Sequence, residues 1–203
     1  MAARLLSLAV LLLGLPCTAS PAGPMDAMAQ EICLLTPAAR VETSGLVWAV
    51  TPVARPTIFA RGQFAEIRLE RDDQLLWSQQ ANAVATIEGP LAWPLAPLHP
   101  GERLMLRLRP LGGDPADFAS IELIGGNADT MERGERLRRS LGRDPAAWLR
   151  AVNASLQASR PEEALALLFD SRGPTSPELN ALRREVHDQA CGSAMVDPDP
   201  AIP

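Results

Sequence analysis

The 203-residue sequence contains no Lys and no Tyr, only two His and only three Cys, and aromatic residues make up 4% of it. Each shortage carries information. The lack of Lys and Tyr, with abundant Ala, reads as a coding bias, and with two His there is little general-base chemistry, since most Ser and Cys nucleophiles depend on a His. The four residue types that usually bind zinc are not clustered at zinc-ligand spacing. No apolar run beyond the N-terminus approaches the roughly 20 residues that a membrane-spanning helix needs. All nineteen basic residues are Arg, set against 24 acids, so the chain is acidic with a formal charge of −5. Such a balance argues against nucleic acid as a partner, because nucleic-acid binders carry a basic footprint.

The N-terminus has its own pattern. Arg4 precedes an apolar stretch from Leu5 to Leu15, broken only by Ser7 and Gly14; Pro16 ends it and small residues follow through Ala22. A short apolar run before small residues reads as a secretory leader. Residues 1–22 are therefore expected to be removed, with cleavage after Ala19 or Ala22 and a periplasmic or extracellular destination. Cys17 offers a competing reading, a lipid anchor, but Pro16 stands where lipoprotein processing wants a small residue. The leader takes one Arg with it, leaving 18 of the 19 Arg against 24 acids, or about −6.

Removal of Cys17 leaves Cys33 and Cys191. Two thiols in an oxidising compartment are expected to form one disulfide. Two free thiols are the alternative.

Residues 23–44 form an N-terminal segment. From 45 to 126 the pattern alternates with a period of two: Leu46, Trp48 and Val50; Ile67 and Leu69 against Glu66, Arg68 and Glu70; Leu104, Leu106 and Leu108 against Arg103, Arg107 and Arg109. Such alternation marks half-buried antiparallel strands. Turns such as Arg71-Asp72-Asp73, His99-Pro100-Gly101 and Leu111-Gly112-Gly113 punctuate them at the spacing of a sandwich. From 127 to 192 the period becomes helical. A polar helix runs from Ala128 to Leu141. Asp144 and Pro145 begin a second helix, Ser159 to Glu162 has capping-box spacing ahead of a third, and Ser176-Pro177 begins a fourth that carries Leu179, Leu182 and Val186 inward. The tail 193–203 is too poor in apolar residues to fold. The expected fold class is α+β: an antiparallel immunoglobulin-like β-sandwich followed by a small helical hairpin.

Trp148 and Ala164 lie at the spacing of the first-helix Trp and second-helix Ala of tetratricopeptide units, with Leu168 in place of an aromatic residue and Pro177 near the closing Pro. The helical half therefore resembles one such unit, although Ala151, Val152 and Ser155 replace the Leu, Gly and Tyr of the pattern. Trp93-Pro94, Pro100-Gly101 and Leu106-Arg107-Leu108-Arg109-Pro110 resemble the β-rich domain of uncharacterised exported proteins of cyanobacteria and related bacteria. The first resemblance implies binding of a protein partner. The second brings no catalytic residues.

Few candidates for chemistry remain. His99 sits in a turn. His187 precedes Asp188, but neighbours on a helix are expected to face apart, and a Cys191–His187 pair would require a reduced thiol. Asp114, Asp117 and Asp129 read as turn and helix-start residues rather than calcium ligands, Asp72-Asp73 as a hairpin turn, and Glu162-Glu163 as helix-dipole partners. Trp48, Trp77 and Trp93 are expected in the core, Trp48 on the face of Leu46 and Val50. One binding surface stands out: Arg133, Arg136, Arg139 and Arg143, along one helix face, could meet an anionic surface. No catalytic residue, metal or cofactor is expected. The sequence points to a non-enzymatic adaptor with a protein partner in the envelope or periplasm. Its rival is a carbohydrate-binding or glycan-processing envelope protein.

Overall fold

The computed structural model describes residues 32–82, 85–87 and 89–191. The expected leader and the tail 193–203 lie outside them. Among the described residues the architecture is mixed α+β, with eight strands followed by four helices. The strands are β1 (Cys33–Thr36), β2 (Ala39–Val41), β3 (Val47–Thr51), β4 (Phe59–Arg61), β5 (Phe64–Arg71), β6 (Gln74–Gln80), β7 (Arg103–Pro110) and β8 (Ala119–Gly125). The helices are α1 (Ala128–Ser140), α2 (Pro145–Gln157), α3 (Pro161–Leu168) and α4 (Pro177–Cys191).

Six strands form one sheet in the order β2-β3-β8-β7-β5-β6, and β1 pairs with β4 in a second. The pairings are antiparallel except one: β3 runs parallel to β8, which makes the large sheet mixed rather than antiparallel throughout. Register explains the core. Ile67 pairs with Leu108 and Leu69 with Leu106, while Leu106 pairs with Ile121 and Leu104 with Leu123. All are buried, and each such side chain contributes roughly 1.5–3 kcal/mol when fully buried. The β5–β6 turn has Asp72 and Asp73 both at positive φ, 48° and 61°, the backbone of a two-residue hairpin.

One face assignment is reversed. On β3 it is Ala49, fully buried and in register with Leu123, that faces the core. Trp48 and Val50 take the opposite face and Leu46 is exposed. The parallel partner decides this: once Ala49 aligns with an inward Leu, its neighbours must point away.

The two-stranded sheet serves two cores. Ala60 and the partly buried Leu34 pack with the large sheet, where Ile58, Phe64, Ile87, Trp93 and Leu98 complete the layer. Their neighbours Phe59 and Leu35 turn the other way and pack among the helices with Trp148, Val152, Leu168 and Leu179. α2 and α3 pack against each other across the turn 158–160, at a close approach that Ala151, Ser155 and Ala164, all buried, permit. The expected capping box does not form. Ser159 has φ 56° and terminates α2, so Arg160 becomes the residue before α3, with no side-chain cap. Pro161 at the first helical position has no amide that would need one.

Candidate functional site

The Cys33–Cys191 disulfide is present, with Cα atoms 5.7 Å apart, joining β1 to the end of α4 across 158 residues of sequence. The Arg61 guanidinium donates to the Cys191 carbonyl at 2.8 Å. With Cys191 bonded, no Cys–His pair exists. His187 Nδ1 lies 3.0 Å from Asp188 Oδ1, so these neighbours do meet, contrary to the helical-wheel expectation. His99 is exposed in its turn. Among the described residues no group of three or more His, Cys, Asp or Glu could hold a metal ion, and no helix is long and apolar enough to cross a membrane.

Of the two carboxylate pairs, Glu162-Glu163 is committed to structural bonds, whereas Asp72 and Asp73 form the β5–β6 turn with their backbone and make no side-chain ion pair among the described residues. Glu162 pairs with Arg40. Glu163 is buried and accepts from Ser155 Oγ at 2.8 Å, Arg133 at 3.1 Å and Arg160 at 3.1 Å. Burial pushes its pKa up, but these three donors outweigh burial and hold the carboxyl below the usual carboxylate value. Asp114 accepts from the Ala116 amide, closing a turn. Asn127 caps α1, with Asp129 in its first turn.

The polar face of the large sheet carries a second set of charges. Glu66 accepts from Arg68 at 2.6 Å and Arg109 at 3.1 Å, and Glu70 accepts from Arg107 at 2.6 Å. The Arg68 hydrogen bond holds the Glu66 carboxyl below its ordinary value. Arg68 also stacks over Phe118 at 4.5 Å. Three guanidiniums thus share two carboxylates on this face, and the buried Arg109 Nε has no hydrogen-bond partner.

The expected Arg face does not form along one helix: α1 ends at Ser140, which leaves Arg143 in the turn before α2, and the four Arg divide into two pairs. Arg133 is engaged by Glu163 and Arg136 by Glu132. Arg139 and Arg143 have no ion-pair partner among the described residues and line a cavity of about 320 Å³ together with Arg138, Arg172, Asp170 and Trp148. Arg138 and Asp170 are both buried and pair at 2.9 Å. Burial raises the Asp170 pKa against the pull of Arg138.

Asp170 also borders a second hollow, about 450 Å³, between α4 and the 169–175 loop. Phe59 and Phe169 form its apolar floor, their rings 5.0 Å apart. Arg183, Arg184 and His187 from α4 form one wall. Arg183 donates only to neutral acceptors: the Leu168 and Pro174 carbonyls and Asn180 Oδ1. Arg184 has no ion-pair partner among the described residues. Sequence reasoning passed over this groove and the Arg138–Asp170 pair. The available signal was the Arg183-Arg184 dipeptide on a helix beside Phe169-Asp170, but nothing local reveals that β4 supplies the facing Phe59.

The indoles are largely occupied. Trp93 and Trp148 are buried and donate to the Ala96 and Gly142 carbonyls. Arg40 lies over the half-buried Trp48 ring at 5.6 Å, and Trp77 is half-buried against the core.

No protein-family model matches the chain, and neither a curated protein nor a solved structure matches it.

Proposed function

We propose that this chain is an exported, non-enzymatic interaction protein of the periplasm or cell envelope. Its α4 groove takes a segment of a partner protein that presents an apolar side chain flanked by carboxylates. The observation carrying this reading is the groove itself: an aromatic floor of Phe59 and Phe169 beside a wall where Arg183 and Arg184 lack acidic partners. A desolvated aromatic pocket with uncompensated guanidiniums at its edge favours an occupant of opposite charge, and Arg and aromatic residues are the usual anchors of binding energy. Export is supported by the leader pattern and by a disulfide, which persists in oxidising compartments. A non-enzymatic role is supported by the engagement of Glu162, Glu163 and Cys191 in structural bonds.

We read the β half as immunoglobulin-like within the same proposal. Two facing sheets support this, as does the extension of the β1–β4 sheet by the Ile58–Leu91 bridge. The parallel placement of an early strand beside the last one, and the adjacency of β5 and β7, point the same way. The glycan-binding rival would need open indole faces, whereas Trp93 and Trp148 are buried and Trp48 is covered by Arg40.

Site-specific photo-crosslinkers at positions 184 and 73 in the native envelope provide the test. A discrete adduct from position 184 alone, lost in Phe169→Ala, is expected. Equal adducts from both positions, or none from 184, would overturn the reading.

A further inference from the structure

We infer that the cavity beside the α1–α2 turn is a binding site for a phosphate-type oxyanion, separate from the α4 groove. Four guanidiniums line it from three stretches of chain: Arg138 and Arg139 from the last turn of α1, Arg143 from the turn before α2, and Arg172 from the 169–175 loop. Two carboxylates, Glu135 and Asp170, share the same wall, so the lining carries a net charge of +2 in a chain that is acidic overall. Arg138 and Asp170 form the base of the cavity: the pair is buried, and Arg138 is held further by Glu135 at 3.5 Å and the Arg55 carbonyl at 3.5 Å. Asp170 Oδ1 lies 3.6 Å from Arg172 Nε, beyond hydrogen-bond reach, which orients that side chain without saturating its donors.

The negative end of α1 accounts for Arg138 and Arg139 on helix-dipole grounds. It does not account for Arg143 or Arg172, which belong to loops and converge on the same hollow. A guanidinium presents planar, forked donors that match two oxygens of a phosphate at once, and Arg139 and Arg143 have no internal carboxylate to occupy theirs. A tetrahedral dianion meets these requirements: it would neutralise the excess charge and accept from several forks together. A free phosphate group and a lipid headgroup share this chemistry.

Both sources can be tested on the full chain at low ionic strength, where exposed charges are least screened. Inorganic phosphate is titrated while Trp148 fluorescence is followed, since that indole lines the cavity. In parallel, vesicles of anionic phospholipid are compared with neutral ones in a flotation assay. The expected result is saturable binding of one of the two probes. In an Arg139→Ser/Arg143→Ser variant that melts like the parent, affinity should fall by about tenfold per Arg removed, the scale of one charge-assisted hydrogen bond. Arg136→Ser, which removes a charge from the same helix but from outside the cavity, should bind as the parent does. Binding of phosphate assigns a small-molecule oxyanion, and binding of anionic vesicles alone assigns a headgroup. Failure of the parent to bind either probe would overturn the inference. So would unchanged binding by the double variant, or an equal loss in Arg136→Ser. None of these outcomes depends on a protein partner in the α4 groove.

Discussion

Gly134 sits in the middle of α1, where Ala would favour a helix by about 1 kcal/mol. A Cβ at this position would nevertheless come within 2.3 Å of the Pro52 carbonyl oxygen and 3.3 Å of Val53. The neighbouring contacts explain the tight approach. Glu135 accepts from the Ala54 amide at 3.1 Å, and Arg138 reaches the Arg55 carbonyl, so the 52–55 segment is laid along the helix and cannot retreat. Gly134→Ala is therefore expected to destabilise the protein by about 2 kcal/mol despite its better propensity, because overpacking against backbone exceeds the propensity gain. The corresponding fall in Tm is about 4–8 °C. A thermal melt that rises on this substitution would show that the helix does not dock there. In the sequence Gly134 reads only as a weak point in a charged helix, since a long-range backbone approach leaves no local signature.

At the scale of elements, the strands and helices were readable because each carries its own periodicity. Ile67 and Leu69, or Leu104, Leu106 and Leu108, announce their inward face within a few residues. What could not be read is information held by the partner element. The face of β3 depends on its parallel alignment with β8, and the role of Ser159 depends on how α2 ends. Glu163 is a further case. It looked like half of a carboxylate pair suited to a helix start, yet it joins α1, α2 and α3 through Arg133, Ser155 and Arg160. Glu163→Gln should cost about 2 kcal/mol, the scale of losing charge-assisted bonds at a buried group. The pH dependence follows from the direction of its shift. Because the folded pKa lies below the ordinary 4.5, the ionised carboxylate stabilises the fold above that value, and this stabilisation is lost as pH falls through the lower, folded pKa. Glu66 acts in the same sense. Asp170 acts oppositely: its raised pKa disfavours folding as pH rises from 3.8 through the folded value, and acid relieves that penalty. Urea midpoints between pH 3 and 6 should thus fall less steeply on acidification in Glu163→Gln than in the parent. Parallel curves would remove Glu163 from the account.

The molecule as a whole is organised around a thin shared layer. β1 and β4 are short, but their alternate residues serve both cores, Leu34 and Ala60 on one side and Leu35 and Phe59 on the other. The boundary at residue 126, read from the change of period, therefore separates secondary structures rather than independent cores. The disulfide joins this layer to the far end of the chain, and Phe59, two residues before Arg61, forms the groove floor opposite α4. Closing a loop of 158 residues removes unfolded-state entropy worth up to about 5 kcal/mol in the chain-entropy model, a large share of the 5–15 kcal/mol typical of a domain. Reduction should accordingly lower the urea midpoint markedly. It should also weaken partner capture at position 184 before the sheet melts, because α4 then keeps the Arg61–Cys191 hydrogen bond, the Arg183 bonds to the Leu168 and Pro174 carbonyls and the packing of Leu179, Leu182 and Val186, but no covalent tie to β1. The oxidised protein should be lighter by two hydrogens than the reduced chain and resist thiol alkylation without reductant. Alkylation of both Cys33 and Cys191 in the untreated protein would remove the bridge, and with it the strongest structural support for an oxidising destination.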